Sequence, residues 1–190
     1  RGGGLLRRFS IGVSANALLH SSTIPIALAP PRYQAPERIS RVSCMFGTLA
    51  GSRQLISTAI RTAQYTDSEL RLISFHTDED AGAMPHEITE TVLENLEANA
   101  NEYLAEQAKH LVDEGLATTE IVTGTSVAEA AAELEWREDE ILLAGSSRLA
   151  TAGRMFMGPR AAKVLRSLPI PLLVTPSQSP KDDDEEGQHE

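Results

Sequence analysis

The sequence predicts an open, doubly wound parallel α/β sheet with helices on both faces. From residue 39 onward, short apolar runs alternate with longer amphipathic stretches. This alternation favours parallel strands joined by right-handed helical crossovers. The run EILLAG (140–145) is almost wholly apolar, which is typical of a strand buried on both faces of such a sheet. Residues 12–30 also reappear as residues 158–176, so the last helix and strand of the pattern occur twice.

The first half of the pattern contains two strands and a helix. RVSCMF (41–46) predicts a strand that ends at Gly47, and Ser52 predicts the cap of the next helix. The apolar residues of that helix recur at helical spacing: Leu55, Ile56, Ala59, Ile60 and Ala63. LRLISF (70–75) predicts the second strand, and residues 76–87 a polar loop.

A long helix and a third strand follow. The spacing predicts a helix over about 87–114 that Gly115 ends, and a strand over 118–124. The inner stripe of the helix is predicted to be Val92, Leu96, Tyr103, Leu104 and Leu111. Ser126 and Glu129 have the spacing of a capping box, in which each residue satisfies a free N–H group.

The last elements complete five predicted strands. A short helix runs to about Glu135, and the buried strand 140–145 follows it. After a loop come a helix over 159–167 and a strand over 171–175. The ligand crevice of this architecture lies beyond the carboxyl ends of the strands, at the turns after Phe46 and Gly145.

The repeat predicts the domain organisation. Its offset is constant at 146 residues, which is the length of a domain rather than of a solenoid unit. Seven aligned pairs are identical: Gly12/Gly158, Ala15/Ala161, Leu19/Leu165, Ser21/Ser167, Ile24/Ile170, Pro25/Pro171 and Pro30/Pro176. We expect residues 37–177 to form a complete domain, residues 1–36 to be the end of a preceding sister domain plus a linker, and residues 178–190 to be an acidic, disordered tail.

Composition narrows the functional classes. The net charge of −10, about half of it in the tail, disfavours general nucleic-acid binding. The sequence contains no stretch of about 18 apolar residues, so it predicts no membrane span. The single cysteine, Cys44, excludes an internal disulfide and favours a reducing, cytoplasmic location. Because Cys44 lies in an apolar strand, we interpret it as a buried, inert thiol.

The segment 141–176 contains the strongest functional signal. Gly145 ends a buried strand and Gly158 begins a helix, an arrangement that can cradle a phosphate. Basic residues cluster in the same segment: Arg148, Arg154, Arg160, Lys163 and Arg166. They fit either a solvated surface or an anion site.

This segment resembles the C-terminal half of a universal stress protein domain. ATP-binding members of that family carry a glycine, two residues, a second glycine, nine residues, and a glycine followed by serine or threonine. The resemblance extends over residues 37–177, and residues 1–30 resemble the end of a first domain in a tandem protein. It implies a Rossmann-like sheet with strand order 3-2-1-4-5 and domains that pair through their last strands. Residues 24–29 should then lie antiparallel to residues 171–175.

Departures from the family pattern bear on the ligand. Gly145 and Gly158 occupy the first and last glycine positions, but Arg148 replaces the middle glycine and Pro159 the serine or threonine. The aspartate that contacts adenine in the family is absent from the turn at 45–48. Since proline offers neither an N–H nor a hydroxyl group, we expect the family's ATP-binding mode to be lost in this domain.

The partial first copy keeps more of the motif. Gly2 and Gly12 have the nine-residue separation of the second and last glycines, with Val13 at the serine or threonine position and Ser14 beside it. The first strand of that domain is not part of the sequence, so its ligand is left open.

Three functions follow from the resemblance. The first is a non-enzymatic stress-response protein that acts through its sister domain and an unidentified protein partner, with homo-oligomers left open. The second is a regulator that binds ATP or another adenine nucleotide through Gly145, Ser146, Ser147 and Arg148. The third, a weak ATPase, is disfavoured because no carboxylate lies near the glycine loop to hold Mg²⁺.

Two other groups of residues are given structural interpretations. His76, Asp78, Glu79, Asp80, His86 and Glu87 lack recognised metal-ligand spacing and are interpreted as a solvated loop. Ser146 and Ser147 follow a buried strand, but the nucleophile-elbow pattern is missing, so we interpret them as loop hydroxyls.

Overall fold

The structure is a computed structural model. It describes residues 17–19, 21–47, 49–77, 86–145 and 168–176. The strands are β1 (Ile26–Leu28), β2 (Arg41–Met45), β3 (Glu69–Thr77), β4 (Ala117–Gly124), β5 (Glu140–Gly145) and β6 (Leu172–Thr175). The helices are α1 (Leu49–Thr66), α2 (His86–Gln107), α3 (Lys109–Asp113) and α4 (Val127–Glu133).

All six strands form one sheet in the order β1-β6-β5-β2-β3-β4. The five strands β2 to β6 are parallel and have the predicted order, 3-2-1-4-5 when counted from β2. The sheet has one strand more than the expected five, because β1 joins it at the edge of β6.

The added strand β1 lies antiparallel to β6, which is the pairing expected for residues 24–29 and 171–175. Ala27 lies opposite Leu173, and Ile26 opposite Val174. Ala27 and Leu173 are also equivalent in the internal repeat, since their numbers differ by 146. The register therefore places a local two-fold axis through equivalent positions of the two copies.

Side chains alternate between the two faces of the sheet and build two hydrophobic cores. The core on the α4 side contains Phe75, Leu142, Leu168 and Val174, and also Leu19 from the first repeat copy. The core on the α1 side is formed by α1, α2 and α3 against the other face, with these residues at its centre: Val42, Cys44, Ile56, Leu70, Leu72, Leu104 and Leu143. The prediction of helices on both faces is confirmed.

Helix α1 begins at Leu49, so the prediction that Ser52 caps it is wrong. Ser52 lies within the first turn, where its hydroxyl accepts a long hydrogen bond of 3.4 Å from the Gly47 N–H group. The hydroxyl thus accepts a hydrogen bond from the residue at the end of the preceding turn and does not cap the N-terminus of the helix.

The predicted long helix is divided in two. Residue Ala108 leaves helical geometry (φ −134°), which separates α2 from α3, and Gly115 follows with φ +71°. Leu104 and Leu111, on either side of the break, are both buried, whereas Val92 of the predicted inner stripe is 52% exposed. Neither proline nor glycine marks the break, so helical periodicity gave no sign of it.

The predicted capping box at α4 is half correct. The Ser126 hydroxyl accepts a hydrogen bond from the Glu129 N–H group. The Glu129 carboxylate reaches past Ser126 and accepts a hydrogen bond of 2.9 Å from the Thr125 N–H group. Helix α4 ends at Glu133, two residues before the predicted end.

Candidate functional site

The order in which the strands are added to the sheet reverses at the neighbouring strands β2 and β5. Successive strands run β2, β3, β4 to one side of β2, and then β5 and β6 to the other. Ligands of open parallel sheets bind beyond the carboxyl ends of the strands at such a switch point. This switch point lies at the turns after Phe46 and Gly145, where the sequence places the candidate crevice.

The end of β2 and the turn after it have no polar side chain from Met45 to Gly47. Met45 is half-buried against the α4-side core, while Phe46 is 5% exposed and packs in the α1-side core. The Phe46 N–H group donates to the Ile73 carbonyl at 2.9 Å, which fixes the turn to β3. Gly47 is exposed, and a methyl group added to it would meet no atom within 4 Å. These residues offer no carboxylate at the position where the family resemblance places one.

Gly145 ends β5 at the other wall of the crevice. It pairs with Thr175 of β6 and is exposed. A methyl group at this position would lie 3.5 Å from Leu55 Cδ2, an ordinary van der Waals distance. Among the described contacts, none requires a glycine at this position.

Gly124 at the end of β4 has the opposite character. A methyl group there would lie 3.1 Å from the Ala130 nitrogen and 3.3 Å from its Cβ atom. Gly124 thus permits the close approach of β4 to α4. It is a packing glycine, which the sequence did not distinguish from Gly145.

The other predicted site residues fall outside the described part of the chain: Gly2, Gly12, Ser14, Ser146, Ser147, Arg148, Gly158 and Arg160. The predicted polar loop over 76–87 is wrong at both ends, because β3 continues through His76 to Thr77 and α2 already begins at His86. Residues 78–85 between them lie outside the described part of the chain. His76 is half-buried, and its Nε2 atom lies 2.9 Å from the Ser74 hydroxyl. Over the described ranges, no group of three His, Cys, Asp or Glu residues is placed to hold a metal ion.

Cys44 is fully buried in the α1-side core. Burial raises the pKa of its thiol, because the thiolate would lose its hydration. The raised pKa suppresses the nucleophilic form, which agrees with the interpretation of an inert thiol.

The amino ends of the strands contain a buried charged cluster that the sequence analysis missed. We call Arg41, Ser43, Arg71 and Glu140 the foot cluster. Its members come from β2, β3 and β5 and are at most 8% exposed. Glu140 was interpreted only as the start of an apolar strand, although its side chain is fully buried.

The Glu140 carboxylate accepts four hydrogen bonds. Arg41 Nη2 donates to Oε2 at 2.5 Å, and Arg71 Nη2 donates to Oε1 at 2.7 Å. The Ser43 hydroxyl also donates to Oε1, and the Arg137 N–H group donates to Oε2 at 3.1 Å. Two guanidinium groups and two neutral donors thus compensate one buried charge, which offsets its desolvation.

The connection between α4 and β5 closes the cluster from outside. The Glu135 carbonyl accepts hydrogen bonds from Arg41 at 2.6 Å and from Arg71 at 3.4 Å. Trp136 covers Arg71, whose Cζ atom lies 5.0 Å from the ring centroid. At the half-exposed rim, a hydrogen bond to Glu69 raises the pKa of Arg137.

A sequence signal for this cluster existed. Arginine at 41 and 71 and glutamate at 140 each stand near the start of an otherwise apolar strand, where one charge is costly and opposite charges can compensate.

Within the described residues, no helix is long and apolar enough to cross a membrane.

Comparison with known proteins gives a consistent result. A model of the universal stress protein family matches residues 45–176. Universal stress proteins of Mycobacterium tuberculosis and Mycobacterium bovis are each 32% identical to this chain over 174 residues. The aligned region covers 89% of this chain and 59% of each relative, so the chain spans about three fifths of the length of these relatives.

Solved structures share the fold. A universal stress protein from Archaeoglobus fulgidus is similar with a TM-score of 0.53 at 18% identity, over 87% of this chain and 54% of that chain. A protein of unknown function from Pseudomonas aeruginosa is similar with a TM-score of 0.59 at 17% identity, over 93% of this chain and 60% of that chain. At these identities the similarity concerns the fold alone.

Proposed function

This chain belongs to the universal stress protein family, and we propose that it is a non-catalytic stress-response protein with a degenerate nucleotide pocket. The observation that carries the proposal is the end of β2 and the turn after it. Met45 packs against one core and Phe46 is buried in the other, so the positions where the family resemblance expects an adenine-binding carboxylate hold apolar side chains. A buried phenyl ring cannot accept the hydrogen bond of an amino group.

Calorimetric titration of the chain with ATP and Mg²⁺ tests this proposal. We expect no heat of binding up to millimolar ATP. Binding with a micromolar dissociation constant would overturn the proposal and make nucleotide sensing the function. The double change Arg148→Gly with Pro159→Ser restores two motif positions. A gain of ATP affinity in this variant would locate the degeneracy in the glycine loop. No gain would mean either that the missing aspartate after β2 is decisive or that the pocket is unrelated to ATP.

A second candidate, a regulator that binds an adenine nucleotide, is favoured by Gly145. This exposed glycine lies at the switch point, and packing against Leu55 does not require it. If a ligand approaches its backbone, Gly145→Ala weakens nucleotide binding while the folded protein keeps its stability. Tyr65→Ala, at a 91% exposed position near the far end of α1 and away from the crevice, serves as the control.

We also propose that β1 is the last strand of a sister domain. Two features support this. The β1–β6 register is symmetric about the equivalent residues Ala27 and Leu173, as in an isologous interface. Equivalent isoleucines also differ sharply in burial: Ile170 is 2% exposed, whereas Ile24 is 68% exposed. Ile170 packs against the domain of residues 37–177, and Ile24 lacks a corresponding body among the described residues.

A duplicated chain tests the sister-domain proposal. Joining a second copy of residues 37–157 directly to residue 12 supplies the missing body, since residue 158 corresponds to residue 12. In the present chain, we expect Ile24→Ala to change the free energy of unfolding by less than about 0.5 kcal/mol. In the duplicated chain, the same change should cost about 2–5 kcal/mol, as expected for a buried isoleucine. A harmless Ile24→Ala in both chains would contradict the proposal.

A further inference from the structure

We propose that the foot cluster sets the register of β2, β3 and β5, and through it the alignment of the strand ends at the crevice. The cluster lies at the amino ends of these strands, opposite the candidate site. Its function in this proposal is positional: it selects one strand alignment among several that the apolar residues would accept.

The apolar pattern alone does not select a single register. Side chains alternate with a period of two, so a slip of one residue exchanges the faces, but a slip of two leaves every apolar residue on its own face. On the α1 side, the three strands present aliphatic residues and a cysteine of similar size: Val42, Cys44, Leu70, Leu72, Ile141 and Leu143. Such residues exchange places at little cost if the volume is conserved.

The foot cluster distinguishes these slipped arrangements. In the observed register Arg41 lies opposite Glu69 and Ser43 opposite Arg71. A slip of two residues in one direction places Arg41 opposite Arg71, so two buried guanidinium groups face each other. A slip in the other direction places Arg71 opposite Met45, in the α4-side core.

The same test applies between β2 and β5. Arg41 lies opposite Glu140 and Ser43 opposite Leu142 in the observed register. A two-residue slip in one direction places Leu142 opposite Arg41, against its guanidinium group. A slip in the other direction places Glu140 opposite Ser43 and moves its carboxylate away from Arg41. Breaking a buried pair in this way leaves an uncompensated charge, which is strongly destabilising. The charges therefore penalise both slips on both sides of β2.

Stability alone does not account for the cluster. Buried ion pairs are often no more stabilising than well-packed apolar residues of similar volume, because desolvation offsets their attraction. The informative variant therefore removes the whole cluster, so that no member of it is left buried without a partner. The outside groups that lose a bond are the Glu120 carboxylate, the Glu135 carbonyl and the Arg137 N–H, which belong to exposed or half-exposed residues that water can reach. Its sequence changes are Arg41→Met, Ser43→Ala, Arg71→Met and Glu140→Met.

Backbone NOEs between strands, recorded by NMR on this variant and on the unchanged chain, test the proposal. The unchanged chain should give only NOEs of the observed register, such as those that join Cys44 to Leu72. The four-residue variant should have a melting temperature at or above that of the unchanged chain. It should also show a second set of NOEs offset by two residues, or a doubling of the β2 and β3 amide signals.

Two further variants complete the experiment. Glu140→Gln alone leaves the buried Arg41 without its carboxylate partner and Arg71 with only the half-exposed Glu120 at 3.3 Å. It should lower the melting temperature by about 6–20 °C. Arg53→Met removes an exposed arginine over the Tyr103 ring. It should leave the register unchanged and lower the melting temperature by less than about 4 °C. A four-residue variant that retains a single native register would overturn the proposal. So would a four-residue variant that fails to fold, because the cluster would then serve stability.

Discussion

The two ends of the parallel strands differ in the kind of residue they carry. At their amino ends, β2, β3 and β5 bring together two arginines, a serine and a glutamate, all buried and bonded to one another. At the carboxyl ends of β2 and β5, beside the candidate crevice, the described residues are apolar or small: Met45, Phe46 and Gly145. The amino ends depend on charge compensation, and the carboxyl ends on backbone geometry. Substitutions at the two ends should therefore fail for different reasons.

The largest effect is expected at the amino ends, for Arg71→Met. Arg71 is 2% exposed and donates to Glu140, Ser43 and the Glu135 carbonyl. Removing one member of a buried ion pair should cost about 3–5 kcal/mol of unfolding free energy, measured by urea denaturation. Arg53→Met, at an exposed arginine that also contacts an aromatic ring at 5.9 Å, should cost less than about 1 kcal/mol. Equal losses in the two variants would contradict the importance of burial.

The next effect is expected at the carboxyl end of β4, for Gly124→Ala. The added methyl group would lie 3.1 Å from the Ala130 nitrogen, so strand and helix must separate. We expect a loss of about 1–3 kcal/mol, as for overpacked sites. Gly145→Ala is the matched control and should change stability by less than about 0.5 kcal/mol. Thermal unfolding of both variants measures the difference, and a reversal of their order would refute the distinction between the two glycines.

A smaller effect is expected for Ser126→Ala at the start of α4. The serine hydroxyl accepts a hydrogen bond from the Glu129 N–H group, which would otherwise have no partner within the helix. Loss of this cap should cost about 0.5–2 kcal/mol, measured by chemical denaturation. Ser126→Asn keeps an acceptor and should retain most of the stability. A full loss in the asparagine variant would assign the effect to packing rather than to capping.

The smallest effect concerns pH at the same helix start. Hydrogen bonds from Thr125 lower the pKa of Glu129 from its ordinary value of 4.5. A lowered pKa in the folded state stabilises the protein above pH 4.5, and this contribution is lost as the pH falls through the folded-state value. Glu129→Gln should therefore lower the urea midpoint at pH 6, and the difference from the unchanged chain should shrink at pH 3.5. A difference that is constant with pH would show that ionisation of Glu129 does not contribute.

Most of the fold could be predicted because its signals are local. The apolar runs located all the parallel strands to within a few residues, and the repeat located the strand that pairs with β6. The break at Ala108 and the early start of α1 at Leu49 have no such local signal. They depend on how the helices pack, which periodicity does not describe.

The foot cluster and the roles of the glycines were less predictable, because they depend on contacts between residues that are distant in the sequence. Ser43 and Glu140 are 97 positions apart in the sequence, and Arg41 and Glu140 are 99 apart. Taken alone, each residue is one polar side chain near the start of an apolar strand. Only the order of the strands in the sheet shows that these side chains contact one another. The different roles of Gly124 and Gly145 likewise depend on what a side chain would contact, a property that composition does not contain.

The pairing of β1 with β6 has a consequence for synthesis on the ribosome. Ile26 pairs with Val174, which is synthesised 148 residues later (174 − 26). At about 5–20 residues per second, this interval lasts roughly 7–30 s. During that time β1 is an unsatisfied edge, yet it has only three residues and is bounded by Pro25 and Pro30. A strand so short, with prolines at both ends, offers a nascent neighbour little to pair with until its own partner emerges.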